Sequence, residues 1–181
     1  MAMEEDKRKG YEDKHLPLYM TALPEEDEWE EELQAIQALV YEGDTPEEIA
    51  ENLKECGNEA FMRFVEEKEI SKRDESDLHQ AIHLYTEAIK QKSTIDENVS
   101  KYHNNRAAVW MKLQRNGEAF RDAKIALKLN PKNVKACYRG MVASERCKYW
   151  EQAIDFCKQG AQLEPDNATF KKKQAVFEKA L

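Results

Sequence analysis

A pattern that returns after 34 residues constrains this chain more than anything else in it. Gly117-Glu-Ala-Phe-Arg-Asp-Ala, followed by Ala126-Leu-Lys-Leu-Asn-Pro131, has a second copy one period later: Ala119 recurs as Ala153, Leu129 as Leu163, Pro131 as Pro165 and Asn133 as Asn167. A period of roughly 20 to 50 residues marks stacked supersecondary units rather than a single closed core. Two amphipathic helices fit within each period. Small residues at Ala107, Ala119, Ala123 and Ala126 allow the helices to approach closely, and Trp110 and Leu113 are placed to fill the layer between pairs. Pro131 and Pro165 close their units because proline cannot continue a helix.

The reading is therefore an all-α helical solenoid of three two-helix repeats, at about 46–93, 100–133 and 134–167, with a capping helix over 168–181 and an acidic leader over 1–45. A 34-residue unit of two amphipathic helices points to tetratricopeptide repeats. Thr45-Pro-Glu-Glu48 is a helix start, with Thr45 as cap, Pro46 in the first position and Glu48 three residues on. The first repeat is irregular: Gly57 and the next signature alanine, Ala81, lie 24 residues apart, about twice the usual spacing. This predicts lengthened hairpin helices with a turn near Arg73 to Ser76. The second helix of that hairpin carries Leu78, Ala81, Ile82, Tyr85, Ala88 and Ile89, and the capping helix is expected to bury Phe170, Val176 and Phe177. In the leader, the apolar stretch His15 to Pro24 is extended by its prolines, and Trp29, Leu33, Ile36, Leu39 and Val40 follow helical spacing.

Charge is divided unevenly. Residues 1–50 hold four Lys or Arg against sixteen Asp or Glu, a net of −12, which leaves +4 on the rest of a chain whose total is −8. A basic repeat region favours an anionic ligand. Nucleic acid is disfavoured by the lack of a dense basic patch with interleaved aromatics. No apolar run approaches the roughly 18 residues of a membrane span. These features predict a cytoplasmic protein, with the nucleus a second compartment, that makes no contact with membrane. Cys56, Cys137, Cys147 and Cys157 have neither Cys-x-x-Cys spacing nor scaffold density, so buried, reduced thiols are expected.

Function is to be sought on the first helix of each pair. Lys54 and Asn58 are four apart, Lys135 and Arg139 are four apart, and Asn105 and Lys112 lie on the helix between them. These segments, Lys54-Glu-Cys-Gly-Asn58, Asn105-Arg-Ala-Ala and Lys135-Ala-Cys-Tyr-Arg139, resemble the dicarboxylate clamp of tetratricopeptide co-chaperones that bind the C-terminal Glu-Glu-Val-Asp tail of heat-shock protein 90 and heat-shock protein 70. The resemblance implies that Lys54, Asn58, Asn105, Lys135 and Arg139 hold the two carboxylates of the terminal aspartate. Phe61, Ala108, Met111 and Lys112 are candidates for secondary peptide contacts, the first three as an apolar wall for the valine. Asn104 adjoins Asn105; the choice falls on Asn105 because it directly precedes Arg106-Ala-Ala, as in the family.

The leader from Leu16-Pro-Leu-Tyr-Met-Thr through Leu33 to Lys54 is similar to the segment before the repeats in tetratricopeptide repeat domain 4 proteins and their fungal counterpart, an Hsp90 co-chaperone. That family implies a further C-terminal domain. It also implies an adaptor without catalytic activity, without a cofactor, and with an unidentified client. Two other readings stand beside it: a scaffold whose groove takes an internal peptide or helix of an unrelated assembly, and the targeting domain of an enzyme such as a phosphatase or prolyl isomerase. His79 and His83 stand one turn apart as zinc ligands do, but no third ligand is near in sequence, and an exposed helix face is the expectation. The acidic pairs of the leader lack a pocket that would separate their pKa values, so no catalytic carboxylates are assigned.

Overall fold

Thr45 opens the first helix as its sequence demands. Its hydroxyl accepts from the Glu48 amide at 3.3 Å, and its own amide donates to the Glu48 carboxylate at 2.8 Å, a reciprocal capping box. Gly43, just before it, has a φ of +95°, a left-handed conformation that glycine adopts without strain. The computed structural model describes residues 43–67, 75–91 and 93–181, which form one unit from Asp44 onward apart from Gly43. The leader helix and the extended leader stretch predicted from sequence lie outside the described residues.

Among the described residues seven helices follow one another: α1 (Pro46–Glu66), α2 (Glu75–Lys90), α3 (Asp96–Lys112), α4 (Asn116–Leu129), α5 (Val134–Cys147), α6 (Trp150–Leu163) and α7 (Ala168–Ala180). Each packs on the next, giving the hairpins α1–α2, α3–α4 and α5–α6 with α7 against α6. The first helices also touch one another in turn, α1 with α3 and α3 with α5, and so form the inner layer of the stack. Among the described residues there is no strand.

The small residues that the repeat pattern singles out are all closed off from solvent: Ala107, Ala119, Ala123 and Ala126 are fully buried. Leu78, Ala81 and Tyr85 of α2 join Ala60 and Val109 in one apolar cluster, with Phe61 and Leu113 packed against it. A larger cluster runs from Ala126 and Met141 to Phe170 and Phe177. Close approach is enforced at Gly140, where an added Cβ would meet the Phe156 ring at 2.4 Å, and at Gly57, where it would meet the Tyr85 ring at 2.8 Å. Glu47 ties the start of α3 to α1 by accepting from the Thr94 amide and hydroxyl at 3.1 and 3.0 Å. These bonds hold its carboxyl below the usual range.

The first hairpin is lengthened as expected, α1 reaching Glu66. Residues 68–74 lie outside the described residues, and Ser76, expected in the turn, belongs to the first turn of α2. Two expectations need correction. Val176 is 56% exposed while Phe170 and Phe177 are fully buried. The two phenylalanines are seven apart and share a face, and Val176 precedes the second by one residue, about 100° around the helix. Cys56 is also exposed, unlike buried Cys137 and Cys157, because it falls in the solvent stripe of α1 with Asn52, Glu55, Glu59 and Arg63. All four cysteines are free.

Candidate functional site

The inner layer joins Asn58 to Asn105 and seats Arg139 against the residue beside Asn105. Asn58 on α1 accepts at Oδ1 from the Asn105 amide of α3 at 3.1 Å. Arg139 on α5 donates from Nη1 to the Asn104 carbonyl of α3 at 2.8 Å. Lys54 is one turn before Asn58 on α1, its side chain only 15% exposed, and its ammonium is hydrogen-bonded to Glu51 and lies 3.8 Å from Glu55. Lys135 is one turn before Arg139, exposed, and makes no ion pair among the described residues. Phe61 is half-buried in the α1–α2 cluster, Ala108 and Met111 are half-buried on α3, and Lys112 ends α3 exposed.

The electrostatics of Arg139 stand apart from those of the other cations. Burial pushes its guanidinium below its ordinary value, and no carboxylate pairs with it among the described residues. A buried cation without an anion is expensive in an empty protein and favourable once an anion arrives. Asn104, by contrast with Asn105, is 4% exposed and contributes its backbone carbonyl.

Sequence reasoning treated Tyr85 as core, and the structure gives it a second role. Its hydroxyl donates to Asn58 Oδ1 at 2.7 Å. Burial raises its pKa to about 12, against the opposing charge of Arg139, so it remains a donor. Asn58 Oδ1 therefore receives two hydrogen bonds, which leaves the amide nitrogen as its free end. Tyr102 reaches the other carboxylate oxygen of Glu51 at 3.5 Å. The only advance signal for Tyr85 was its hydroxyl, since a phenylalanine packs equally well.

A second polar set supports the first from behind. Arg106 makes a bidentate pair with Asp122 at 2.8 Å twice and donates to the Thr86 hydroxyl at 2.8 Å. His103 Nδ1 is 2.9 Å from the same carboxylate. Burial pushes the Asp122 carboxyl up, but Arg106 and His103 outweigh it and hold it below the usual range. His79 and His83 are exposed, and among the described residues no group of three or more candidate ligands could hold a metal. No helix among the described residues is long and apolar enough to cross a membrane.

No family model matches the chain. It is 32% identical over 154 residues to the tetratricopeptide repeat protein 4 homolog of Dictyostelium discoideum, covering 85% of this chain and 36% of that protein. It is also 32% identical over 175 residues to the Hsp70/Hsp90 co-chaperone CNS1 of Saccharomyces cerevisiae, covering 91% of this chain and 40% of that one. The chain thus spans less than half the length of these relatives, and the matches extend beyond the repeats into the leader. Among solved structures, the Hsp90 co-chaperone Cns1 from the same yeast superposes with a TM-score of 0.62 at 29% identity, over 77% of this chain and 41% of that one. With the three helical hairpins and the cap on the same footing, the chain is a tetratricopeptide-repeat protein related to the tetratricopeptide repeat protein 4 family.

Proposed function

We propose that this chain is a co-chaperone adaptor that binds the C-terminal Glu-Glu-Val-Asp tail of heat-shock protein 90, and of heat-shock protein 70, in the cytoplasm, without catalysis of its own. One observation carries the reading: Arg139, a largely desolvated guanidinium on a first helix, has a carbonyl for its partner and no carboxylate among the described residues. The terminal residue of such a tail offers two carboxylates. Lys135 and Arg139 suit one, and Lys54, Asn58 and Asn105 suit the other. Similarity to proteins described as Hsp70/Hsp90 co-chaperones supports the same assignment.

The chemistry scales sensibly. Charge-assisted hydrogen bonds contribute about 1.5 to 3 kcal/mol each. Ordering a flexible tail and detaching Lys54 from Glu51 offset much of that sum. An affinity near micromolar, about −8 kcal/mol, is expected.

Calorimetric titration with the peptide Met-Glu-Glu-Val-Asp tests it, with the C-terminally amidated peptide and the Arg139→Ala protein as controls. Binding lost in both controls is the expected result. Binding that survives amidation would replace the clamp with a scaffold for internal peptides.

A further inference from the structure

Of the cations Lys54, Lys135 and Arg139, only Lys54 already holds a carboxylate among the described residues. Glu51, one turn earlier on α1, accepts from the Lys54 ammonium through one carboxylate oxygen, and its other oxygen accepts from the Tyr102 hydroxyl of α3 at 3.5 Å. The repeats differ at this position. Glu51 stands three residues before Lys54, whereas Asn98 stands three before Lys101 and Lys132 three before Lys135. A carboxylate in this register is therefore confined to repeat one.

The arrangement is a fixed one. The Lys54 side chain is 15% exposed, and Tyr102 is fully buried, so both partners of Glu51 are held by packing. Burial raises the Tyr102 hydroxyl to about 12, with the Glu51 charge adding to it, so the hydroxyl stays protonated and donates. Glu55 is the natural contrast: it lies 3.8 Å from the same ammonium with its side chain 64% exposed.

We propose that Glu51 is a built-in competitor for Lys54, standing where a ligand carboxylate would bind and so limiting how tightly and how selectively the site takes an anionic chain end. This rests on the tail-binding reading above. A carboxylate tethered one turn away competes at a high effective concentration, present whether or not ligand is. A ligand carboxylate prevails because the Asn58 and Asn105 amides add to Lys54, whereas Glu51 draws only on Lys54 and Tyr102. A neutral amide in the ligand has no charge with which to displace Glu51, and it leaves the ion pair closed. Once released, Glu51 keeps the Tyr102 hydroxyl and, being half-exposed, regains water. Exchange then costs one ion pair and strands no buried charge.

The test is a calorimetric cycle. The probes are Met-Glu-Glu-Val-Asp and Met-Glu-Glu-Val-Asn, both with free C-terminal carboxylates, and each is titrated into the parent chain, Glu51→Gln and Glu55→Gln. Glu51→Gln should bind the aspartate peptide roughly threefold to tenfold more tightly than the parent does, and the asparagine peptide less than about twofold more tightly, so that discrimination between the two widens. Glu55→Gln should shift either peptide by less than about twofold. Unchanged or weaker binding of the aspartate peptide by Glu51→Gln would overturn the competitor. Equal tightening of both peptides, or equal tightening by Glu55→Gln, would overturn it too, reducing the effect to net charge, while amide-sensitive binding by the parent left the clamp standing. Failure of both the parent and Glu51→Gln to bind, or binding indifferent to amidation, would remove the clamp and the competitor together.

Discussion

Repeats two and three close their hairpins at the same two positions by opposite means. In repeat three Gly140 opens a gap that the Phe156 ring fills. One period earlier the same positions hold Arg106 and Asp122, joined by a bidentate ion pair in which the aspartate is buried and which also binds His103 and Thr86. Repeat one returns to the first solution, with the Tyr85 ring against Gly57. An array can thus tolerate either closure, since each fills the space between its two helices. They differ in how they fail. An apolar lock degrades in proportion to lost contact, whereas an ion pair stripped of one member leaves an uncompensated buried charge.

Asp122→Ala should therefore have the largest effect of any single change, destabilising by about 3 to 5 kcal/mol because Arg106 and His103 lose their shared carboxylate. Urea unfolding measures this, and a loss under 1 kcal/mol would abolish the contrast between the repeats. Gly140→Ala comes next, at about 1 to 3 kcal/mol, as its methyl must displace the Phe156 ring. The combined Arg106→Gly and Asp122→Phe replacement, which imposes the closure of repeat three on repeat two, should be less harmful than Asp122→Ala alone. If it is worse, the two closures are not interchangeable and backbone differences between the repeats decide.

Acid sharpens the same contrast. The folded pKa of Asp122 is depressed, so its pairing contributes stability above the ordinary aspartate value near 4 and loses it as pH falls through the folded value. The gap in unfolding free energy between the parent and Asp122→Asn should accordingly be widest at neutral pH and close below about pH 4, with no such closure for Gly140→Ala. Smallest of all is Tyr85→Phe, which gives repeat one the ring of repeat three. Stability should change little, while affinity for Met-Glu-Glu-Val-Asp drops about fivefold, the equivalent of one hydrogen bond of about 1 kcal/mol that orients Asn58.

Much of the fold was legible because helical repeats write their packing into short-range patterns. The alanines at 107, 119, 123 and 126, the Thr45 capping box and the long first helix all follow from spacing. Val176 was misplaced because three apolar residues crowd one stretch of α7 and only the phase set by Phe170 decides among them. The site was half legible. Lys54, Asn58, Asn105, Lys135 and Arg139 are proposed from the resemblance to clamp segments on the first helices, and the structure joins Asn58 to Asn105 and α5 to α3. Partners across helices could not be read this way. Neither the Tyr85 hydroxyl nor the Asn104 carbonyl announces which residue it meets, since these contacts depend on the angle between helices rather than on any one helix.

Arg139 of α5 donates to the Asn104 carbonyl of α3, and Arg146, two turns on, donates to the Met111 carbonyl at 3.3 Å, a pairing with a mechanical meaning. A single link between two rods leaves a pivot, whereas two links about 10 Å apart resist both rotation and sliding. With Arg139 and Arg146 both seated on α3 carbonyls, the inner layer of repeats two and three behaves as a stiff strut. Such a strut accepts a ligand whose spacing already fits and cannot flex to rescue one that does not.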